Sequence, residues 1–572
     1  MRIKIFSIIL VVCMLSLSVG LAYVQILRHE KYKVMSEENR LKIVPLMAPR
    51  GKITDRNGEP LVKDVLSFQI SVIYNRVRDK NALASIVSNV LNLTEEEILS
   101  RLSNARKVPY EPSVIVRDVG IEEVIKIEEL AGNYPGLLVE VSAKREYLKG
   151  KTAASVLGYL GYINRSEFDK LKHYGYRVND RTGRDGVEKY YDDYLRGRNG
   201  GKQIEVDHRG REVDILGLRE PVSGKDLQLT IDVRLQTFCG ELMEGKKGAI
   251  IVMDPDTGEI ITMTSVPTYD PNIFIEELSD GDVSRILNSK DYPLMNRAIS
   301  GVYPPGSVFK IVPAMGALET GVLTAEKEFS CSGKLTLGKA VFRCWRKNGH
   351  GTVSLREAIK GSCNVYFFKT GLLLGAEYLS AFSRKMGFGK RTGVDLPGER
   401  SGSVPSPSWK KKRFNDKWYK GDTVNFSIGQ GYLLCSPLQV VRMMSVLANK
   451  GSLVKPYLVK SVEGVSINEQ VSVDLGFADE NINAIREGLK KVVNDKHGTG
   501  MKAKLKGVKV AGKTGTAQTS RGKSHGWFAG FAPYENAKLA IVVFDEYGGK
   551  GGYYAAETAG KVFRKAEELG LL

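Results

Sequence analysis

Ser307 and Lys310 stand three residues apart in the stretch Tyr303-Pro304-Pro305-Gly306-Ser307-Val308-Phe309-Lys310. Two prolines and a glycine punctuate the approach, so it reads as a turn that stops at a serine and opens a helix. The i, i+3 spacing puts both side chains on one helix face. A lone serine hydroxyl is a poor nucleophile. A lysine held beside it in a partly desolvated place loses its proton and acts as its base. Free N–H groups and the dipole at a helix start also favour negative charge there. Taken alone the pair is a weak signal, because a helix start with a solvated lysine gives the same pattern. It gains weight from Ser362-Cys363-Asn364 and then Lys513-Thr514-Gly515, far apart and in that order.

The elements that must position these residues can be read in outline. Gly248 to Ile260 reads as a strand, a tight turn through Asp254-Pro255-Asp256-Thr257-Gly258, and a second strand. A largely helical block covers 296–447 and holds the Ser307 and Ser362 motifs. Val508 to Ala511, Trp527 to Phe531 and Leu539 to Val543 give three later strands, and a helix from about Ala555 to Leu569 follows. Early and late strands around inserted helices predict one antiparallel sheet in an α+β layout. Lys513 falls at the end of an edge-like strand, where Thr514, Gly515 and Thr516 leave room for a substrate strand to pair.

The first half shows no acid pair, metal cluster or phosphate loop, so a structural or partner-binding role is expected there. Asp55-Arg56-Asn57-Gly58 is turn chemistry between strands. Residues 81–106 read as amphipathic helices, and Val139 to Val141 with Arg145 to Tyr147 as strand. A boundary falls near Pro221-Val222-Ser223-Gly224-Lys225.

A chain of 572 residues is too long for one core. Its net charge of +19 suits an anionic membrane surface, an anionic cell-wall polymer or nucleic acid. No nucleic-acid motif accompanies it. The basic residues read as scattered, which predicts a plain solvated basic surface. Met1-Arg2-Ile3-Lys4 is short and basic, and Ile5 to Leu27 is apolar and uncharged. That is long enough to span a bilayer, with residues 1–4 cytoplasmic and the rest outside. A cleaved signal peptide is the rival reading, with Ser18-Val19-Gly20 as its cleavage site. A polar helical stalk is expected over 28–45.

Serine-x-x-lysine, then S-x-N, then K-T-G is the motif set of penicillin-binding proteins and class A β-lactamases. Over nearly its whole length the chain resembles the class B penicillin-binding proteins, which are peptidoglycan D,D-transpeptidases. The resemblance rests on the anchor, Arg50-Gly51 to Leu61, Gly183 to Gly197, Asn296-Arg297-Ala298, the three motifs, Gly429-Gln430-Gly431 and Gly512 to Ala517. No stretch of glycosyltransferase size precedes them, unlike class A. Tyr303 to Gly306, Gly349-His350-Gly351 and Ser362-Cys363-Asn364 look most like the elongation-type group, penicillin-binding protein 2. The division-specific class B enzymes are the nearest alternative.

The resemblance implies an architecture of anchor at 5–27, stalk and non-catalytic pedestal at 28–222, and transpeptidase domain at 223–572 with a five-stranded antiparallel sheet. It implies that Ser307 attacks the D-Ala-D-Ala carbonyl of a stem peptide while Lys310 takes its proton. Ser362 would relay a proton to the departing D-alanine, and Asn364 would hold the substrate amide and the lysine. Lys513, Thr514 and Thr516, around Gly515, would bind the terminal carboxylate. Backbone N–H groups of Ser307 and Thr516 would form the oxyanion hole. β-Lactams would acylate Ser307. Carboxypeptidase action differs only in using water as acceptor. Implied partners are a membrane glycan polymerase of the SEDS family and rod-shape scaffold proteins. A non-enzymatic role as activator of that polymerase would use the anchor and 45–222.

No cofactor is needed for the acyl transfer. Cys331, Cys344, His350 and Cys363 nevertheless form the ligand set of a closed structural zinc site. Some penicillin-binding protein 2 relatives bind zinc with ligands at similar places. A disulfide, for example Cys331 with Cys344, is the rival in an oxidising compartment. His525 and His497 read as a strand-entry and an exposed turn histidine, and Cys239 and Cys435 as small buried hydrophobes.

Overall fold

The structure is a computed structural model that describes residues 2–31, 33, 41–106, 112–131, 134, 136–176, 180–206, 212–275, 280–468, 470–519 and 522–572. The chain forms two compact units, one of 1–51 with 196–224 and one of 52–195 with 225–572.

In the first unit, the apolar stretch Ile3–Leu27 is a helix of 25 residues with mean hydropathy 2.6, long and apolar enough to cross a membrane. Much of the expected stalk, 34–40, lies outside the described residues. Its last part is strand rather than helix: Leu41–Leu46 runs antiparallel to Gly200–Val206, which pairs in turn with Glu212–Arg219.

The second unit holds most of the expected pedestal together with the catalytic motifs. Pro60–Ile73 pairs along its length with Leu137–Tyr147 and at its end with Pro112–Val119. Helices Lys80–Leu91 and Glu95–Ala105 pack on it through Leu83, Val87, Ile98 and Leu102. Both have the caps the sequence offers: the Asp79 carboxylate accepts from the N–H groups of Asn81 and Ala82, and Thr94 with Glu97 closes a capping box. The Asp55 turn joins Ile53–Thr54 to Pro60–Ile73, as expected. Leu227–Leu229 then pairs with Ile53–Thr54 on one side and Val459–Val462 on the other.

The central sheet has five strands, all antiparallel: β1 (Gly248–Met253), β2 (Ile260–Val266), β3 (Ala511–Ala517), β4 (His525–Ala532) and β5 (Leu539–Asp545). Their order is β2-β1-β5-β4-β3, so β3 is an edge strand. All residues of β1, β2, β4 and β5 are buried, because helices cover both faces. The helices that matter for the site are α1 (Ile311–Glu319), α2 (Asn364–Leu374), α3 (Pro407–Phe414), α4 (Lys420–Ser427) and α5 (Tyr554–Glu568).

Two differences from the sequence reading have plain causes. β3 starts at Ala511, three residues later than the apolar run at Val508. Its partner β4 ends at Ala532, just before Pro533, which has no N–H to continue the ladder. The expected helical block also contains four very short strands: Phe329–Cys331 pairs with Gly351–Val353, and Lys334–Leu337 with Ala340–Arg343.

Candidate active site

Gly306–Lys310 is a 3-10 turn that runs into α1. In that geometry positions i and i+3 eclipse, which suits a serine–lysine pair. Gly306 has φ +56° and donates its N–H to Gly429 O at 2.9 Å. A Cβ on Gly306 would lie 2.8 Å from Thr516 O, and one on Gly429 would lie 2.2 Å from Gly306 O. The serine turn is therefore pressed between β3 and the Gly429 loop, and glycine is required on both sides of the contact. Trp527 of β4 fixes the approach by donating its indole N–H to Pro304 O at 3.1 Å.

Lys310 is buried beneath this turn, 1% exposed. Its Nζ donates to Ser362 O at 2.8 Å, Ser362 Oγ at 3.2 Å and Asn364 Oδ1 at 2.7 Å. Burial pushes its pKa down to about 8, against a smaller upward pull from the neighbouring cysteines. Ser307 Oγ is not among its hydrogen-bond partners.

Ser362 follows the short helix Leu355–Lys360 and has φ +51°, a left-handed backbone that a non-glycine residue adopts only when its surroundings impose it. The imposing contacts are visible. Cys363 N–H bonds back to Ala358 O at 2.9 Å, and the Trp345 indole donates to Gly361 O at 3.1 Å and to Ser362 O at 3.2 Å. Asn364 opens α2, and its Nδ2 donates to Arg343 O at 3.3 Å.

Lys513 lies inside β3, opposite Ala529, and is fully buried, with Nζ donating to Thr514 O at 3.0 Å. Burial holds its pKa well below the lysine range, and the charge on Lys310 adds to that. Thr514 Oγ1 donates to Thr499 Oγ1 at 3.0 Å, and Thr516 is exposed on the free edge. Ser307, Ser362, Asn364, Thr514 and Thr516 line one cleft of about 650 Å³. Thr499, Trp345 and Asn425 also line it, and no sequence motif marked them. The flanking glycines of Thr499 and the place of Trp345 beside Cys344 were the available hints.

The four expected metal ligands come together. The donor atoms of Cys331, Cys344, His350 and Cys363 all lie within 4.8 Å of one another, and all three thiols are free. His350 Nδ1 is 3.7 Å from Cys331 Sγ and 3.5 Å from Cys344 Sγ. Its Nε2–H is set to donate to Gly361 O at 3.1 Å, which leaves Nδ1 as the lone-pair nitrogen facing the thiols. Hydrogen bonds from Cys363 and His350 hold the Cys344 thiol well below its usual range, while the bond to Cys344 and burial push Cys363 up. Three thiols and one outward-anchored imidazole at this separation fit the closed tetrahedral set of a structural zinc ion.

His525 opens β4, and its Nδ1 accepts the Tyr547 N–H at 3.1 Å; burial lowers its pKa. His497 is exposed at a positive φ of 65°, and Cys239 and Cys435 are buried. None of these four lines the cleft.

Two family models match the chain: the penicillin-binding protein transpeptidase domain over 248–566 and the penicillin-binding protein dimerisation domain over 45–229. The chain is 34% identical to peptidoglycan D,D-transpeptidase MrdA of Acinetobacter baumannii, over 97% of its own length and 86% of the relative's. Among solved structures it is similar to penicillin-binding protein PBP2 in complex with MreC from Helicobacter pylori. The TM-score there is 0.83 at 32% identity, covering 93% of this chain and 100% of the other. It is also similar to a chain in a structure described as "Structural coordination of polymerization and crosslinking by a peptidoglycan synthase complex". That match has a TM-score of 0.75 at 29% identity and covers 100% of this chain and 99% of the other.

Proposed function

The chain belongs to the class B penicillin-binding proteins, and from that premise we propose that it cross-links peptidoglycan stem peptides during cell-wall elongation through an acyl-enzyme on Ser307. The observation that supports this most is the convergence of Ser307, Ser362, Asn364, Thr514 and Thr516 on one cleft, with Lys310 buried beneath it.

The proposed mechanism uses those positions as follows. A stem peptide ending in D-Ala-D-Ala lies along the open edge of β3, where unpaired backbone groups add it as a further strand. Its terminal carboxylate meets Lys513 with Thr514 and Thr516. Ser307 Oγ attacks the penultimate D-Ala carbonyl and passes its proton to the neutral amine of Lys310. Backbone N–H groups of Ser307 and Thr516 stabilise the oxyanion. The C–N bond to the terminal D-alanine breaks, and its nitrogen takes a proton by way of Ser362 and Lys310. The departing D-alanine leaves an ester on Ser307. An amine from a neighbouring stem peptide attacks that ester, gives up a proton along the same route, and restores the serine.

Cys331, Cys344, His350 and Cys363 would hold a structural zinc ion. It would tie Cys363, and so the Ser362–Asn364 loop, to the small strands around Cys331 and His350.

The apolar helix Ile3–Leu27 would anchor the chain as a single pass, with the second unit outside the cytoplasm, where stem peptides are joined. Residues 28–222 would serve as pedestal and 223–572 as transpeptidase domain. One of the similar structures is a complex of PBP2 with MreC, and another is described as a peptidoglycan synthase complex. This supports a second, partner-binding role toward a SEDS polymerase and rod-shape scaffold proteins through the anchor and pedestal.

Fluorescent penicillin, followed by peptide mapping of the labelled residue, tests the reading. Label on Ser307 supports it, and label elsewhere or nowhere ends it. Replacing the anchor with a soluble leader, with acylation retained, separates the catalytic from the partner role.

A further inference from the structure

The positive charge of this chain is not evenly spread. Lys410, Lys411, Lys412, Arg413, Lys417 and Lys420 fall within eleven residues that contain one acid, Asp416. This corrects the scattered pattern expected from sequence. The cluster is built on α3 and the loop that joins it to α4.

Its architecture is firm. Ser406 caps α3 by accepting the Trp409 N–H at 3.1 Å, Pro407 occupies the first turn, and Asn415 ends the helix in a left-handed conformation. Lys410 points inward, 3% exposed, and is bonded to Asp416 at 2.9 Å and Asp422 at 2.8 Å. Both acids of the neighbourhood are thus taken by one buried lysine. Lys411, Lys412, Arg413, Lys417 and Lys420 are exposed, and no ion pair engages them among the described residues.

An aromatic group stands beside these charges. Phe414, 52% exposed, packs against Trp409 and Tyr432 with ring centroids 5.6 and 5.2 Å apart. Tyr419, 48% exposed, lies 5.4 Å under the Lys417 ammonium. The patch adjoins the cleft. A Cβ on Gly421, next to Lys420, would lie 3.0 Å from Phe342, which lines the cleft, and Asn425 of α4 and Gln430, two residues before Tyr432, line it too.

We propose that α3, the loop to Lys420 and Tyr432 form a subsite for the carboxylate-bearing glycan strand from which the reacting stem peptide hangs. This rests on the transpeptidase reading above. An uncross-linked strand repeats stem peptides with free terminal carboxylates, so it is a multivalent anion. Five unpaired cations match it in charge, and successive weak contacts on one strand reinforce each other. The pyranose rings offer apolar faces to the exposed rings of Phe414 and Tyr419. The subsite holds the strand while the cleft handles one peptide at a time.

The test uses the full chain in detergent and the combined variant Lys411→Ala, Lys412→Ala, Arg413→Ala. Co-sedimentation with uncross-linked glycan strands bearing stem peptides is expected to weaken at least about ten-fold, and to weaken in the wild type as salt rises. Penicillin is too small to leave the cleft, so its labelling of Ser307 should not change, which also reports that the variant is folded. The pair Lys417→Ala, Lys420→Ala, outside the helix, should give a smaller loss in the same direction. The exchange Lys411→Arg, Lys412→Arg, Arg413→Lys should retain binding. Unchanged strand binding in both alanine variants overturns the subsite, as does equal binding of strands stripped of their peptides. Loss of binding to vesicles of phosphatidylglycerol and phosphatidylcholine in equal parts, with strand binding intact, overturns it in favour of a membrane contact. A wild type that penicillin fails to label sinks the transpeptidase reading, while the strand measurements still decide the subsite.

Discussion

Lys310 Nζ donates to Asn364 Oδ1 at 2.7 Å, although Ser307, three residues before it on the same turn, is the group it would serve in the proposed mechanism. The amine is thus held by the Ser362–Asn364 loop. Burial pushes its pKa down to about 8, against a smaller upward pull from Cys363, Cys344 and Cys331.

The first prediction is a pH profile. In the proposed mechanism the base is the neutral amine of Lys310, which is populated above the pKa. Penicillin acylation should therefore rise with pH and level off above about 8. Asn364→Ala removes an acceptor for the charged form, so the rise should move to lower pH, with a lower plateau because the amine is less well held. Stopped-flow acylation across pH 6 to 10 (roughly the span around a buried lysine's range) reads both. A flat profile in the wild type counts against Lys310 as the base.

Ser307→Ala should abolish covalent penicillin labelling and lower turnover about 10^4-fold or more, because nucleophile and base act as a unit. Lys310→Ala should cost a comparable factor. A covalent adduct on the Ser307→Ala chain, seen by intact-mass spectrometry, would falsify the assignment of the nucleophile.

Lys513→Ala should slow acylation by peptides with a free terminal carboxylate more than by their amidated analogues, since only the former offer a charge-assisted bond. The measurement is kcat/KM for the matched pair. Equal losses mean that Lys513 does not read the carboxylate.

Gly306→Ala forces a Cβ to within 2.8 Å of Thr516 O at a φ of +56°. The serine turn must shift, and a displacement of the order of 1 Å costs about 100-fold in rate. Acylation should fall by that order, and the thermal midpoint by only a few degrees. Wild-type acylation in this variant would mean that the contact between turn and strand does not position Ser307.

Purification without added metal or reductant should yield one zinc per chain by elemental analysis, with the thiols of Cys331, Cys344 and Cys363 free after denaturation in chelator. Chelation, or His350→Ala, should lower thermal stability. No zinc and two missing thiols would identify a disulfide instead.

The chemistry was more legible than the geometry that serves it. Ser307, Lys310, Ser362, Asn364 and Lys513 could be named as candidates because they match a set of short motifs, and the structure places Ser307, Ser362 and Asn364 on one cleft with Lys310 and Lys513 buried. β1, β2, β4 and β5 could be found because each is a largely apolar run, whereas β3 carries Lys513, Thr514 and Thr516 and was placed too early. The strands Phe329–Cys331 and Gly351–Val353 are three residues each, too short to show a period, so the insertion that brings Cys331 to His350 was unreadable. The positive φ of Ser362 was hidden for a different reason. It is imposed by Trp345 and by the turn at Gly361, and nothing in the serine itself announces it. The basic run from Lys410 to Lys420 stood in the sequence and was missed; what the sequence does not show is that Lys410 neutralises both nearby acids and leaves its neighbours unopposed.

The strand order β2-β1-β5-β4-β3 also sets a timetable for the nascent protein. β1 has two neighbours, and one of them, β5, is made almost last. On the proposed route across the membrane, β1 and β2 reach the outside long before β5, so a hairpin they form there has one edge of β1 open. That edge belongs to a strand whose residues are all buried in the finished protein, so it is both sticky and apolar during the wait. The sheet closes only when Leu539–Asp545 has been delivered. The hazard of misassembly is governed by the speed of translocation through that interval, and nonlocal pairing of this kind is intrinsically slow. A periplasmic holdase that covers β1 during export should raise the yield of penicillin-reactive protein more than any mutation that stabilises the closed sheet.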